Sequence, residues 1–121
     1  MRAPSILIAV ALIGLAGAAE AHPKLVSASP SPNATVARPA HVDLRFSERL
    51  MPAFSKAEIT MAAMRGMPAM KVASTAALAV DGRTLVLTPK APLHSGRYGV
   101  AWRVVSTDTH RIAGTYAFAV R

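Results

Sequence analysis

The 121-residue chain has no cysteine and few aromatic residues: one Trp, two Tyr and three Phe. Without cysteine it can form neither a disulfide framework nor a thiolate zinc site, and it has no cysteine near its beginning to carry a lipid. Stability must therefore come from an apolar core alone.

Acidic residues are also scarce, since 14 Lys and Arg stand against six Asp and Glu, which gives a net charge of +8. The basic residues are scattered along the sequence, and the aromatic residues do not alternate with them. These features argue against a nucleic-acid partner. A basic protein of a bacterial envelope is the interpretation we favour.

Long apolar runs are absent except at the beginning of the chain. Arg2, the apolar residues 6–18 and the small residues Ala19 and Ala21 predict a secretory signal over residues 1–21, cut after an A-x-A site. The run is too short for a comfortable membrane span, and no other segment approaches about 20 apolar residues. We expect residues 22–121 to form one exported, periplasmic, monomeric domain that does not insert into the membrane.

Cleavage after Ala21 would leave His22 as the first residue. Its α-amine and imidazole can then close one chelate ring on a metal ion. The α-amine has a pKa near ~7.8 and a lysine one near ~10.4, so Lys24 is a poor rival ligand at neutral pH. Pro23 has no backbone N–H for Cu(II) to displace. The sequence therefore predicts a copper site at His22 that takes its other ligands from elsewhere in the fold.

Short alternating segments dominate the rest of the chain and predict an all-β domain, either a Greek-key sandwich or a small barrel. Turn residues such as Asp81-Gly82 and Ser95-Gly96 separate the segments, and no stretch keeps a helical period. Residues 62–79 are the one weakly patterned stretch. The apolar positions of the predicted strands are Val42, Leu44 and Phe46; Ile59 and Met61; Leu85 and Leu87; Tyr98, Val100, Trp102 and Val104; and, after Gly114, Tyr116, Phe118 and Val120.

Two further groups of residues carry metal-binding chemistry. Asp108 and His110 lie two apart in the loop between the last two predicted strands. If that loop is extended, the two side chains point to the same side and suit a borderline ion such as Cu(II). Four methionines stand in ten residues, in a stretch that Gly66 and Pro68 keep from being helical; soft thioethers select Cu(I), although flexible core filling is the alternative. These methionines are Met61, Met64, Met67 and Met70.

The remaining histidines, His41 and His94, do not belong to a group of candidate metal ligands in the sequence. His41 lies on the polar side of its strand and His94 lies in a turn, so we interpret both as surface residues. No Ser/His/Asp or Cys/His nucleophile set and no phosphate-binding glycine loop is present, and no enzymatic activity is expected.

Taken together, these residues resemble the CopC family of periplasmic copper-resistance proteins over nearly all of the mature chain. The resemblance implies a Greek-key β-barrel of immunoglobulin-like topology. The segments that carry it are His22-Pro23-Lys24-Leu25, Phe46-Ser47-Glu48, the methionine run, Trp102-Arg103, Val105-Ser106, Asp108-Thr109-His110 and Gly114-Thr115-Tyr116.

The resemblance implies a Cu(II) site made of both nitrogens of His22, the carboxylate of Asp108 and the imidazole of His110. Glu48 matches an acidic position that some members place near this site. Met61, Met64 and Met67 match the Cu(I) thioethers of the family, and Met70 closes the run. Related chains often have a longer methionine loop that contains a histidine, and this chain departs from that pattern.

The resulting hypothesis is a periplasmic copper carrier or buffer that binds Cu(II) and Cu(I) and passes copper to envelope partners. Such partners would be an inner-membrane transporter of the CopD type or a multicopper oxidase. One alternative is a copper monooxygenase, which also uses an amino-terminal histidine, but Asp108 would crowd the open position that oxygen activation needs. Another is an adhesion or assembly module whose metal role is incidental.

Overall fold

The strands form two packed sheets in the computed structural model, which describes residues 23–121. The predicted signal segment and His22 lie outside the described residues. A 3₁₀ turn at Pro52–Phe54 precedes β4. The strands are β1 (Leu25–Ser29), β2 (Thr35–Val36), β3 (Val42–Phe46), β4 (Lys56–Met61), β5 (Met70–Val72), β6 (Ser74–Leu78), β7 (Thr84–Pro89), β8 (Gly96–Val105) and β9 (Arg111–Val120).

One sheet has four strands in the order β1-β3-β7-β6, and the other has five in the order β2-β9-β8-β4-β5. Neighbouring strands are antiparallel except β2 and β9, which pair in parallel. The predicted all-β, two-sheet architecture is confirmed. No helix among residues 23–121 is long and apolar enough to cross a membrane.

The core lies between the sheets because alternate residues of each strand turn their side chains inward. The positions predicted in the sequence to be apolar supply most of it. The buried core residues are Val42, Leu44, Phe46, Leu85 and Leu87 from the four-stranded sheet, with Ile59, Tyr98, Val100, Trp102, Val104, Phe118 and Val120 from the five-stranded sheet and Leu50 and Leu93 from loops.

Two details differ from the sequence prediction. The weakly patterned stretch 62–79 contains two strands, β5 and β6, which are short and mostly exposed and therefore show little alternation. Gly114 does not precede the last strand but lies inside β9, opposite Trp102. An added Cβ at Gly114 would come within 2.4 Å of the indole Cζ2 of Trp102, so glycine is needed here for close packing.

The ten-residue strand β8 separates the two places where we expect metal ligands. At its start, Tyr98 pairs with Met61, the last residue of β4. At its end, Val105 pairs with Arg111, and the loop 106–110 connects the two strands. Nine residue steps at ~3.3 Å each put roughly 30 Å between these ends.

Candidate functional site

Asp108 and His110 are brought into contact by the loop between β8 and β9. Oδ2 of Asp108 lies 3.0 Å from Nδ1 of His110, and both side chains are 41% exposed. The loop is not extended, as the sequence analysis assumed. It is a tight turn in which the amide of Thr109 donates to the carbonyl of Ser106 and Thr109 has a φ of 72°.

The buried residue Ser106 orients this pair from the core side. It is 1% exposed, its amide donates to the carbonyl of His110, and its hydroxyl donates to Oδ1 of Asp108. The hydrogen bond from Ser106 is the main reason that the pKa of Asp108 lies below its ordinary value. Desolvation acts in the opposite direction, and the hydrogen bond with His110 lowers the pKa further. Asp108 is therefore ionised at neutral pH and presents a carboxylate. Its dependence on a buried serine two residues earlier was not anticipated from the sequence.

The beginning of the described chain runs next to this loop. Lys24 and Ser47 exchange two hydrogen bonds, of 2.9 Å to the Ser47 hydroxyl and 2.8 Å from the Ser47 amide. Two residues later, the carbonyl of Arg49 accepts a 2.9 Å hydrogen bond from the amide of Thr107. The segment 47–49 thus connects Lys24 to the Asp108 loop.

Pro23 and Glu48 belong to this junction. The side chain of Pro23 is fully buried, which fixes the point where the chain enters the sandwich. Glu48 is half-buried in the connecting segment. None of the described contacts joins its carboxylate to Asp108 or His110. His22, the ligand on which the predicted Cu(II) site most depends, lies outside the described residues.

Within residues 23–121, no three His, Asp or Glu side chains gather into a metal site. Asp108 and His110 offer two donors, one short of that number. A second pair of the same kind exists, since Nδ1 of His41 lies 2.9 Å from Oδ1 of Asp43. That pair stands on the outer face of the four-stranded sheet.

The four methionines lie on a β-hairpin at the other end of β8. Met61 pairs with Met70 in the ladder between β4 and β5. Met64 and Met67 exchange backbone hydrogen bonds of 2.9 and 2.8 Å around a turn at Gly66, whose φ of +80° favours glycine. The methionines therefore come in two cross-strand pairs.

Their side chains are accessible and partly gathered. Met64, Met67 and Met70 are 46%, 49% and 50% exposed, which is unusual for core filler. Met61 Cε and Met64 Sδ both approach Gly96, at 3.2 and 3.7 Å from the position that a Cβ would take there. His94 lies two residues before Gly96, and its carbonyl accepts a hydrogen bond from the Tyr98 hydroxyl.

Comparison with known proteins accounts for this combination of residues. The family model described as the CopC domain matches residues 25–121. The chain belongs to the CopC family. Proteins of this family are copper-binding resistance proteins and not enzymes, so the expected lack of catalysis is confirmed and the monooxygenase alternative is not retained.

Individual CopC relatives cover most of the chain. Copper resistance protein C of Xanthomonas campestris pv. juglandis is 49% identical over 117 residues, which are 95% of this chain and 92% of the relative. The crystal structure of PcoC from Escherichia coli, a methionine-rich copper resistance protein, superposes with a TM-score of 0.78 at 44% identity and covers 84% of this chain and all of PcoC. CopC from Methylosinus trichosporium OB3b superposes with a TM-score of 0.71 at 37% identity, over 82% of this chain and 93% of that protein.

Proposed function

We propose that this CopC-family chain is a periplasmic copper carrier of a copper-resistance system. It holds Cu(II) at a site made by His22, Asp108 and His110, and Cu(I) at the methionine hairpin. The single observation that carries the proposal is the Asp108–His110 pair, held 3.0 Å apart beside the segment that binds the start of the described chain.

Connectivity supports a shared site for His22 and this pair. His22 is bonded to the buried Pro23, and the next residue, Lys24, is hydrogen-bonded to Ser47. Arg49, two residues after Ser47, is in turn hydrogen-bonded to Thr107. Through these contacts Pro23 lies near the Asp108 loop in space, although the two are far apart in the sequence. A first residue attached at this point has the reach to complete a site that the described residues leave at two donors.

The donor chemistry suits Cu(II). The α-amine and imidazole of His22 would form one chelate ring, and Asp108 and His110 would add a carboxylate oxygen and an imidazole nitrogen. For both to bind copper, the imidazole of His110 must be neutral and the carboxyl group of Asp108 ionised. Glu48, in the connecting segment, would be an accessory acidic ligand in this proposal.

The methionine hairpin suits Cu(I) instead. Thioethers are soft, neutral ligands, and three of the four lie exposed at the surface. The two cross-strand pairs and the approach of Met61 and Met64 to Gly96 limit how far the sulfurs can separate. This placement supports our proposal of an all-thioether site.

The biological role is proposed from the relatives. Related chains are named Copper resistance protein C, and PcoC is described as a methionine-rich copper resistance protein. We propose that this chain acts in the periplasm after its signal is removed and passes copper to a CopD-type transporter or a multicopper oxidase. Ligand preference would make the oxidation state of copper decide which site holds it.

The decisive experiment compares Cu(II) titrations of the mature chain beginning at His22 with those of a chain that carries one extra glycine before it. The extension converts the α-amine into an amide and leaves every described residue unchanged. We expect it to abolish tight binding. Asp108→Asn should also weaken binding, whereas Asp43→Asn, in the matched His41–Asp43 pair, should leave it unchanged.

Equal affinity of the mature and extended chains would remove the amino-terminal chelate from the site. Equal losses from Asp108→Asn and Asp43→Asn would show that binding responds to surface charge and not to the loop. Either result would contradict the proposed Cu(II) site, while Cu(I) binding at the hairpin would need its own test.

A further inference from the structure

The outer face of the five-stranded sheet gathers basic residues that are far apart in the sequence. Inward-facing Tyr98, Val100 and Trp102 leave the alternate residues of β8 on the outside. Arg103 on this face lies opposite Lys56 of β4 and Ala113 of β9. One step along, Ala101 lies opposite Glu58 and Thr115.

These residues form a groove of about 870 Å³. Small side chains of the two longest strands make its floor, and long basic side chains from four separate segments stand around it. We call this feature the basic groove; its floor includes Ala101, Ala113 and Thr115, and its basic residues are Lys56, Lys71, Lys90 and Arg103.

The charge of the basic groove is poorly compensated. Its one acidic lining residue is Glu58, whose Oε2 lies 3.2 Å from Nζ of Lys71. Among the described residues, Lys56, Lys90 and Arg103 form no salt bridge. On the outer face of the other sheet, by contrast, Arg45 lies beside Asp43 on β3. The four basic side chains of the groove thus share a single lining carboxylate.

An exposed aromatic ring extends this surface. Phe54 is 60% exposed, and with Arg103 and Arg111 it lines a smaller hollow of about 390 Å³. Arg103 also lines the basic groove, so the two hollows adjoin. An aromatic residue beside arginines is typical of the energetically dominant part of a protein interface.

We propose that the basic groove is a docking site for an extended acidic segment of a partner protein, with Phe54 as an apolar anchor at one end. Charge complementarity selects the acidic chemistry. The floor of Ala and Thr side chains allows a peptide backbone to approach closely, while the basic rim reaches its carboxylates. A lipid surface is too broad and flat to enter a groove of this kind. The proposal does not depend on either copper site.

The test uses a fluorescent peptide of alternating Asp and Glu with one central Phe, about 12 residues long, which spans roughly the length of β8 when extended. We expect it to bind the mature chain and to shift the backbone NMR signals of Ala101, Ala113 and Thr115. Binding should weaken as salt rises from about 20 to about 150 mM, where the Debye length is about 8 Å. Removing charge with Lys56→Gln and Arg103→Gln together should weaken it about tenfold.

The matched control is the pair Arg38→Gln and Arg45→Gln, which removes the same charge from exposed positions outside the groove. An equal loss in this control would show a response to net charge only and would overturn the proposal. NMR shifts that avoid the groove in the unsubstituted chain would do the same, independently of how any variant folds. Tighter binding of oligo-dT or of phosphatidylglycerol vesicles through the same residues would replace the acidic protein with another class of partner.

Discussion

Gly114 shows how one residue leaves room for a large aromatic ring in the core. An added Cβ would lie 2.4 Å from Cζ2 and 2.8 Å from Cε2 of Trp102, a ring that is only 8% exposed. The indole is large and held by its neighbours Phe46 and Tyr116, so it has little room to move.

We therefore predict that Gly114→Ala destabilises the fold by about 1–3 kcal/mol, the range for overpacking a core. Gly99 is the matched control, because it lies on the neighbouring strand and a Cβ there would meet nothing within 4 Å. Gly99→Ala should change stability by less than about 0.5 kcal/mol. Urea unfolding of the metal-free chain measures both, and similar effects of the two substitutions would contradict the packing argument.

Tyr116 gives a prediction for alkaline pH. Burial, assisted by the carboxylate of Asp43, raises the pKa of its phenol to about 12. In the unfolded chain the phenol ionises near pH ~10. Between these values the unfolded state loses the proton while the folded state keeps it, so this contribution to stability is present below about pH 10 and is lost as pH rises to about 12.

Tyr116→Phe should flatten this loss of stability between pH 10 and pH 12. At pH 7 it should cost no more than about 1 kcal/mol, because the hydroxyl is buried and has no hydrogen-bond partner among residues 23–121. Urea midpoints measured across this pH range test both statements. A strong destabilisation at pH 7 would show that the hydroxyl has a partner.

The Asp108–His110 pair shows what could be predicted at the residue scale. An aspartate and a histidine two residues apart in a loop were sufficient to select them as candidate ligands. The structure places the two side chains in contact. The assumed route was wrong, because a turn closed by Ser106 and Thr109 brings them together and not an extended loop. Spacing alone does not distinguish these geometries, since both place the side chains on one side.

At the scale of secondary structure, the strands with an alternating apolar pattern were predictable and the edge strands were not. β3, β7 and β8 each bury a series of alternate apolar residues, and their sequences show it. β5 and β6 have no fully buried residue. Their existence depends on pairing with β4 and β7, a non-local effect that a periodic pattern does not record.

The methionine hairpin follows from that pairing, and it carries a prediction of its own. Met64→Leu together with Met67→Leu should greatly weaken Cu(I) binding, because the thioethers are lost while the apolar volume is kept. Cu(II) binding should not change. The control is Met51→Leu, a half-buried methionine outside the hairpin.

Competition with a colorimetric Cu(I) chelator measures these affinities. Unchanged Cu(I) affinity in the double variant would leave the hairpin without a role in metal binding. A similar loss with Met51→Leu would point to a general effect of methionine content and not to the hairpin.

At the scale of the whole molecule, the two proposed copper sites lie at opposite ends of β8, roughly 30 Å apart. An ion cannot pass directly between ligands at that separation. A change in oxidation state would release copper from one site, and a separate encounter would load the other. In the proposed mechanism, each site would therefore meet its own partner.

We predict that the sites bind independently. Asp108→Asn should alter Cu(I) affinity by less than roughly twofold, as expected for distant positions that share no contacts. When Cu(II) is bound, NMR signals around Asp108 should disappear by paramagnetic broadening, while the methyl signals of Met64 and Met67 stay sharp. Broadening of those methyl signals would show that Cu(II) also occupies the hairpin.

The five-stranded sheet also ends in unusually short strands. β2 has two residues and β5 has three, and the chain passes from β5 into the other sheet at Ala73. Such edges offer few unpaired backbone groups to a second molecule. The five-stranded sheet therefore offers little backbone for edge-to-edge aggregation, and a copper carrier that had to be abundant would gain from this protection.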